Sequence, residues 1–333
     1  MQSMTTTKTE DFRATTEQIA ELETAGCDIV RVAVPSIEAA RAIAEIKSRA
    51  RIPVVADIHF DYRLAIEAVS AGADKIRINP GNIGGEDRVK AVAEACRARG
   101  VPIRIGVNGG SLERELLERH GGVTARAMLE SAMGHIALLH KFDFDEICVS
   151  LKASSVALTV EACRLFSESS DYPIHLGVTE AGGPFTGLVQ SSVGLGALLL
   201  DGIGDTLRVS LTANPVEEIR AGIAILKAAE LRNDGIRLIS CPTCGRCEID
   251  LIGLAGEVER RMEPLGLNLT VAVMGCTVNG PGEARQADYG VAGGRGVGVL
   301  FKKGEIVSRV PEEHLADALL DMIAEDNIQQ NSP

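Results

Sequence analysis

The sequence predicts an α/β fold, a (β/α)8 TIM barrel with a truncated first strand, followed by a small α+β domain. Three observations predict it. Short β-branched segments alternate with Ala- and Glu-rich helical segments over residues 1–235, as expected of a parallel α/β fold. An Asp followed three residues later by an Arg recurs at 28, 74 and 205 as a weak internal repeat. Beyond residue 235 the alternation changes, and four of the 8 cysteines fall within residues 241–276.

The strands are predicted from β-branched runs and the helices from apolar residues three and four positions apart. The predicted strands are 29–35, 54–60, 75–81, 102–108, 146–152, 174–180 and 206–212. The predicted helices include 37–50, 63–72, 87–100 and 215–232. A doubly wound sheet would show fewer strands and a Gly-rich first turn. The short segment 2–5 therefore supplies the missing first strand of a barrel.

Length and composition indicate two domains and exclude several classes of protein. The chain has 333 residues, 45% of them hydrophobic, more than one compact domain usually needs. We place the barrel at 1–235 and the second domain at 236–333. A net charge of -12 argues against general affinity for nucleic acid or acidic membranes. No apolar run reaches the length of a bilayer span and the N-terminal residues resemble no targeting signal, so we expect a cytoplasmic protein.

Five cationic side chains are predicted to meet at one end of the barrel. Side chains alternate along a strand, and barrel enzymes place their sites at the C-terminal ends of the strands. The five are Arg31, Arg77, Arg104, Lys152 and Arg208. Arginine contacts two phosphate oxygens at once and lysine adds a compact charge, so the pattern indicates a diphosphate. The alternative is that these arginines pair with Asp28, Asp74 and Asp205 and close the barrel floor.

Other polar residues share strand faces with these cations or follow them. They are Asp57, His59, Asn79, Gly106, Asn108, Ser150 and Ser210. Glu180 ends its predicted strand as an anion close to the predicted cations, which makes it a candidate proton donor or acceptor. A plain salt bridge between Glu180 and an arginine is the alternative.

Three cysteines of the second domain have the spacing of a metal site formed by two loops. Cys241 and Cys244 form a C-x-x-C pair, and Cys276 follows in a Gly-Cys turn. A zinc site of this type needs a second C-x-x-C or a His pair, which the sequence lacks, so an iron-sulfur cluster is favoured over structural zinc. Cys247 and Glu283 are both candidates for a fourth ligand, and a Cys247 thiol that caps or packs the turn is a further possibility. The other cysteines are predicted core thiols: Cys27, Cys96, Cys148 and Cys163.

Eight motifs occur in order along the chain: VRVAVP, VADIHFDYR, RINPGNIG, PIRIGVNGGSLE, HLGVTEAGG, GIGDTLRVSL, CPTCGR and GCTVNGPGEA. In this order they resemble the 4-hydroxy-3-methylbut-2-enyl diphosphate synthases of the methylerythritol phosphate isoprenoid pathway. The resemblance runs from about residue 2 to the C-terminus. It implies an oxidoreductase in which a barrel and a cluster domain open methylerythritol cyclodiphosphate reductively, giving hydroxymethylbutenyl diphosphate and water with two electrons.

The resemblance also implies roles for individual residues. It implies one 4Fe-4S cluster per chain, held by Cys241, Cys244, Cys276 and Glu283. Glu180 matches the proton-transfer carboxylate. The residues that match substrate-binding positions are Arg31, Arg77, Asn79, Arg104, Asn108, Lys152, Arg208, Ser210 and Asn279.

Partners and departures follow from the same resemblance. It implies reduced flavodoxin or ferredoxin as electron donor, and a homodimer in which barrel and cluster domains of different subunits face each other. Family members usually have a further N-terminal strand leading into 2–5. Without it we expect unpaired backbone groups and a lower melting temperature than for an extended chain. Cys247 is the second departure, because it offers a four-cysteine cluster.

Two other functions compete with this one. A phosphate-binding barrel enzyme of aldolase or pteroate-synthase type would carry structural zinc in its small domain, and Lys152 would then be a candidate Schiff-base lysine. A non-enzymatic electron-transfer or metal-sensing module would not turn over the cyclodiphosphate. Stoichiometric zinc without acid-labile sulfide would eliminate the reductive enzyme.

Overall fold

A curled parallel sheet forms the core of the first of two units, Met1–Arg232 and Asn233–Pro333. The structure is a computed structural model and describes residues 1–276, 282 and 284–330. Six strands of the first unit pair in parallel in chain order. They are β1 (Gln2–Met4), β2 (Ile29–Ala33), β3 (Val54–Asp57), β4 (Lys75–Ile78), β5 (Ile103–Asn108) and β6 (Ile147–Lys152). This sheet is the α/β, TIM-barrel type of architecture that the sequence predicts.

The last two barrel strands are shorter than predicted. β7 (His175–Leu176) and β8 (Thr206–Leu207) form a separate parallel pair, and a single bridge between Val149 and Ile174 connects β7 to β6. The predicted strands 174–180 and 206–212 were wrong in length. The predicted strands 29–35, 54–60 and 75–81 were also too long, by two or three residues at their C-terminal ends, and Pro80 and Gly81 begin α4 instead. Glu180 has a φ of 56°, which no extended strand permits, and the Leu211 N–H donates to the Glu218 carboxylate instead of to a strand.

The helices of the first unit pack around this sheet. They are α1 (Phe12–Thr24), α2 (Ile37–Lys47), α3 (Tyr62–Ser70), α4 (Pro80–Ile83), α5 (Glu86–Arg99), α6 (Arg114–His120), α7 (Ala125–His140), α8 (Val156–Ser169), α9 (Pro184–Leu200) and α10 (Pro215–Ala228). Short polar side chains fix several starts: Ser36, Thr124 and Asn214 each accept a backbone N–H of the first turn. Gly100 ends α5 in the left-handed conformation that glycine adopts without strain.

In its described residues, the second unit is a five-stranded mixed sheet with two α-helices packed against it. Its strands are β9 (Arg237–Ser240), β10 (Thr270–Met274), β11 (Tyr289–Ala292), β12 (Val297–Lys302) and β13 (Glu305–Pro311), and its helices are α11 (Leu251–Met262) and α12 (Leu315–Gln330). The strand order is β13-β12-β11-β10-β9. β9, β10 and β11 are parallel, whereas β12 and β13 form an antiparallel hairpin. Across both units, no described helix is both long and apolar enough to span a bilayer.

Candidate active site

Arg31, Arg77, Arg104, Lys152 and Arg208, here called the cation cluster, lie together inside the barrel. Arg77 and Arg104 are register partners on β4 and β5, and Lys152 is the register partner of Asn108 at the ends of β6 and β5. The side chains are buried or nearly so, down to 1% exposure at Arg104. All four arginines lower the pKa of Lys152. The predicted convergence of the five cations is therefore what the strand alternation produces.

The cation cluster carries more positive charge than its neighbours neutralise. Burial first, and then the neighbouring cations, lower the pKa of Lys152 well below its usual value. Burial is likewise the main reason that the pKa of Arg31 falls to about 9 and that of Arg104 to about 10. Charges that repel one another in a low-dielectric interior are relieved by an anion.

Two carboxylates pair with the cluster, and neither belongs to the predicted alternative. Asp57 Oδ1 lies 3.2 Å from Arg77 Nη1, and Asp57 Oδ2 lies 3.7 Å from Arg31 Nε. Burial by itself raises the pKa of Asp57, but the positive charges around it, first those of Arg31 and Arg77, together lower that pKa. Glu218 on α10 lies 3.2 Å from Arg208 Nη2.

The aspartates of the alternative have other partners. Asp28 pairs with the amino group of Met1, Asp74 pairs with Lys47, and Asp205 accepts the Ile174 backbone N–H. They stand just before their strands, at the end opposite the C-terminal ends, and therefore do not reach the cation cluster. The alternative in which they neutralise these arginines was wrong.

Several buried donors of the cation cluster have no protein partner in the described part of the chain. Arg104 Nη1 donates to Gln2 Oε1 at 2.8 Å, but Arg104 Nε and Nη2, Arg208 Nε and Gln2 Nε2 are buried without a hydrogen bond. Buried donors are normally satisfied by protein, water or ligand. A multivalent oxyanion would supply acceptors to all of them.

Two glycines make room for the cations. A Cβ atom at Gly177 would lie 2.7 Å from Lys152 Nζ and 3.0 Å from the Arg208 carbonyl oxygen. At Gly106 it would lie 2.4 Å from Arg77 Nε. Strand alternation placed Gly106 on the correct strand face, but no function was predicted for Gly177. In the sequence, Gly177 is marked only by lying two residues after His175, on the same face of the predicted strand 174–180.

A cavity of about 530 Å³ opens above β5, β6 and β7, at the C-terminal ends of the strands. Asn108, Ser111, Thr179 and Glu180 line it. Glu180 is exposed to this space and forms no ion pair in the described residues, so the predicted salt-bridge alternative does not occur there. Its left-handed backbone is the kind of strain that a functional position holds.

The remaining predicted barrel residues occupy different depths. Asn79 is buried and caps α4 by accepting the Gly81 N–H at 3.0 Å. Ser150 is buried and Ser210 is half-buried two residues beyond Arg208. His59 is largely exposed, with Nε2 3.9 Å from Asp57 Oδ2, so the structure leaves it at the rim.

His175 on β7 is a buried residue that sequence reasoning missed. It is fully buried, its Nδ1 lies 2.8 Å from Thr206 Oγ1, and its Nε2 has no hydrogen bond. Burial, and then the charges of Arg104 and Lys152, lower its pKa well below the usual value. The neutral form of this imidazole is therefore favoured among the cations. Strand alternation could have revealed it, because His175 occupies an alternate position of the predicted strand 174–180.

The cysteines of the second unit lie at one edge of its sheet. Cys241 follows β9 and Cys276 follows β10 by two residues, and these strands are parallel neighbours, so both thiols lie beyond the same ends. The Gly275 N–H donates to Cys241 Sγ at 3.2 Å. Hydrogen bonds from the Arg246 backbone and side chain lower the pKa of the exposed Cys244. This donor set, rich in thiols and free of histidine, fits an iron-sulfur cluster.

Cys247 differs from these three. Its thiol donates to the Ile249 carbonyl at 3.3 Å, and a Cβ at Gly275 would lie 2.7 Å from its Sγ. Among the described residues, no group of three or more His, Cys, Asp or Glu side chains is already arranged to hold a metal ion. Glu283 and Asn279, the other predicted residues of this site, lie outside the described residues.

Family models match both units. The model for the GcpE TIM-barrel domain matches residues 1–223, and the model for the GcpE protein C-terminal domain matches residues 237–325. The chain belongs to the GcpE family. The predicted family resemblance is confirmed.

Relatives of this GcpE chain carry one name. The proteins of Fusobacterium nucleatum and Geobacter sulfurreducens are named 4-hydroxy-3-methylbut-2-en-1-yl diphosphate synthase (flavodoxin). The first is 58% identical over 98% of this chain and 92% of that protein, and the second is 59% identical over 96% and 91%. Among solved structures, Yersinia pestis dihydropteroate synthase is similar with a TM-score of 0.49 and 11% identity over 69% of this chain and 91% of that one. That likeness is too distant to indicate function.

Proposed function

We propose that this chain opens the ring of methylerythritol cyclodiphosphate reductively and dehydroxylates it to hydroxymethylbutenyl diphosphate, in isoprenoid biosynthesis. Its relatives, 58% and 59% identical, are named for the synthesis of this product with flavodoxin. The single structural observation that carries the proposal is the cation cluster with its unsatisfied buried donors. It suits a substrate with two phosphoryl groups. Reduced flavodoxin, or ferredoxin, is the proposed electron donor.

The barrel residues bind and orient the substrate in this proposal. Arg31, Arg77, Arg104, Lys152 and Arg208 hold the diphosphate, with Asn79, Asn108 and Ser210 as neutral donors around it. Oriented cations hold the phosphates fixed while the carbon skeleton points toward the open cavity. Repulsion within the empty cluster is relieved when the anion arrives, so binding also stabilises the barrel.

Glu180 is the proposed proton-transfer group. The reaction uses two electrons: the ring bond between carbon and the phosphate oxygen breaks, leaving that oxygen as an anion, and a hydroxyl group leaves as water after taking up one proton. Glu180 lines the cavity above the strands, within the space that the leaving oxygen would share with water. A carboxyl group there can pass a proton to that oxygen and be protonated again from solvent.

Cys241, Cys244 and Cys276 are the proposed thiolate ligands of one 4Fe-4S cluster per chain, with Glu283 as fourth ligand and Asn279 approaching the substrate from the cluster side. Such a cluster supplies single electrons and a metal to which a substrate oxygen can bind. The three cysteines would hold this cluster, and the Gly275 N–H, which donates to Cys241 Sγ, would stabilise charge on that sulfur.

A homodimer and a cytoplasmic location complete the proposal, with barrel and cluster domains of different subunits facing each other. Helix α9 has no charged residue from Pro184 to Leu200, and Phe185, Val189, Val193 and Leu200 on it are exposed. A continuous apolar face of this kind supports self-association. All 8 cysteines are free thiols, as in a reducing compartment.

An anaerobic assay with the cyclodiphosphate and a chemical reductant tests the proposal. We expect product, together with a substrate-dependent change in the visible and paramagnetic spectra of the cluster. Glu180→Gln should retain substrate binding and lose about 10²-fold or more in turnover. Stoichiometric zinc without acid-labile sulfide, or no product from the fully loaded wild-type enzyme, would refute the function.

A further inference from the structure

The buried His135 and the half-buried Glu113 form a pair near the loop that follows β5, and the proposed function assigns this pair no role. His135 on α7 is 7% exposed, and its Nε2 lies 2.9 Å from Glu113 Oε1. The same oxygen accepts a hydrogen bond from Ser131 Oγ at 3.1 Å. The contact with His135 is the main reason that the pKa of Glu113 falls to about 2. The carboxylate is thus held ionised between two residues of one helix.

This pair faces the segment that follows β4. A Cβ atom at Gly81 would lie 3.5 Å from His135 Cε1, 3.6 Å from Glu113 Oε1 and 3.3 Å from Asn79 Oδ1. The pair and the Asn79 amide therefore border the same side of the Gly81 backbone. Gly81 N–H donates to Asn79 Oδ1, so the position of that backbone sets the orientation of the Asn79 amide.

The pair also controls the loop that follows β5. Glu113 comes two residues after Ser111, in the short segment between β5 and α6. Asn79 Nδ2 donates to Ser111 Oγ at 3.4 Å, and Ser111 Oγ donates to the Asn108 carbonyl at 3.3 Å. Ser111 therefore connects the segments that follow β4 and β5 through hydrogen bonds to Asn79 and Asn108. Glu113, two residues further on, attaches the second of these segments to α7 through Ser131 and His135.

We infer that Glu113 and His135 are positioning residues that hold the loops after β4 and β5 in register, so that Asn79 and Asn108 meet the diphosphate of the substrate. The inference rests on the proposed function for the identity of that anion. Neither residue touches the substrate. Ordering a flexible loop is entropically unfavourable. When contacts within the protein already hold the loop in its binding conformation, this entropy is not lost on binding and the affinity is higher.

His135→Ala, His135→Gln and His140→Ala in the full-length, anaerobically purified chain test the inference. Glutamine keeps an N–H donor near the position of Nε2, whereas alanine removes it. His140 is the matched control, because it lies on the same helix but is exposed and contacts Tyr172. The dissociation constant for inorganic diphosphate is measured by calorimetry, and kcat and KM for the cyclodiphosphate are measured separately.

We expect His135→Ala to raise the diphosphate Kd and the KM about tenfold, with kcat changed much less, because uniform binding is lost. His135→Gln should recover most of the affinity, and His140→Ala should match the wild type. If His135→Ala fails to fold, Glu113→Ala and Glu113→Gln provide the same contrast, since the amide oxygen of glutamine can still accept from Ser131 Oγ and lie against His135, whereas alanine removes both contacts.

Wild-type diphosphate affinity in a folded His135→Ala protein would overturn the inference, as would a glutamine variant no better than alanine. The proposed function fails separately. If the wild type makes no product while the alanine variant loses diphosphate affinity and glutamine restores it, the loop support stands as an anion-binding feature of a different enzyme.

Discussion

Arg77 fills the space that a side chain at Gly106 would occupy: a Cβ atom there would lie 2.4 Å from Arg77 Nε and 2.5 Å from Arg77 Nη2. The two residues stand on adjacent strands, β4 and β5. The guanidinium therefore crosses the neighbouring strand at the one point where no side chain blocks it. The position of the Arg77 guanidinium therefore depends on the absence of a side chain at residue 106 as well as on the ion pair with Asp57.

Gly106→Ala should displace Arg77 and weaken diphosphate binding about tenfold or more, because approaches below 3.0 Å force one partner to move. Gly177→Ala should be more severe, because its Cβ also meets the backbone oxygen of Arg208, which cannot swing away. Calorimetry with inorganic diphosphate measures both effects. Gly134→Ala on α7 is the control, where a Cβ contacts nothing within 4 Å and helix propensity favours alanine by up to about 1 kcal/mol. Unchanged affinity in Gly106→Ala would contradict this account of Arg77.

Glu218→Ala should destabilise the barrel by about 3 kcal/mol or more. Glu218 is 3% exposed and accepts from both Arg208 Nη2 and the Leu211 N–H, so alanine leaves a partly buried charge and a backbone donor unpaired. Glu218→Gln keeps an acceptor and should cost less. Urea unfolding of the metal-free proteins measures the difference, and equal losses for the two variants would show that the hydrogen bonds are not responsible.

Lys152→Met should stabilise the ligand-free protein by about 1 to 4 kcal/mol while weakening diphosphate binding. Burial and four arginines lower the pKa of Lys152 in the folded state, so the charged form is disfavoured there relative to the unfolded chain. The cost is complete below the folded-state pKa and disappears as the pH rises toward the unfolded value. The difference in unfolding free energy between variant and wild type should therefore shrink as pH rises. A variant less stable than the wild type would show that Lys152 has an unrecognised favourable partner.

Sulfate affinity should fall as the pH rises through the lowered pKa of Lys152. Protonated lysine attracts the anion, and the attraction is lost on deprotonation, at a lower pH than for an exposed lysine. Sulfate keeps its full charge over this range, so the dependence belongs to the protein. Its effect on the melting temperature, measured at a series of pH values, checks this. In Lys152→Met the fall in sulfate affinity with rising pH should be smaller, and any pH dependence that remains would come from the arginines. Identical pH profiles in the variant and the wild type would contradict the assignment of the fall to Lys152.

Cys247→Ala should retain the full complement of iron and acid-labile sulfide, whereas Cys276→Ala should lose most of it. The Cys247 thiol donates a hydrogen bond to the Ile249 carbonyl. Because a cluster ligand must be a thiolate, this arrangement suits a packing role for Cys247. Anaerobic iron and sulfide analysis with the cluster spectrum distinguishes the two variants. Glu283→Ala, made alongside, tests the proposed fourth ligand. Loss of iron in Cys247→Ala would indicate a four-cysteine cluster.

Local patterns were sufficient for much of the fold. Strands β2 to β6 begin within one residue of where the β-branched runs predict them, although β2, β3 and β4 end two or three residues early. Strands β3, β5 and β6 are buried at nearly every residue, and their composition reflects that burial. The two predicted strands with the largest errors, 174–180 and 206–212, carry the same pattern but lose their backbone partners, since Glu180 takes a left-handed turn and Leu211 bonds to a side chain. Strand length depends on pairing, which no local run encodes.

For the site residues too, the local sequence predicts which residues lie on a strand face, but it does not predict which ion pairs they form. Strand alternation was enough to predict that Arg77 and Arg104 lie together. The alternative that pairs these arginines with aspartates such as Asp74 was wrong, and the structure pairs Arg77 with Asp57. Asp74 accepts the Val54 N–H instead. Which carboxylate reaches which cation depends on strand register, and register is a tertiary property.

The sequence by itself determined the chemistry of this protein: the cations on alternate strand positions, the thiols at Cys241, Cys244 and Cys276, and the family to which it belongs. These are properties of residue type and short-range spacing. Only the tertiary structure decided how Arg77 is held, through the open space at Gly106 and the pairing with Asp57. Such contacts join residues distant in sequence, and packing fixes them only when the whole barrel has formed.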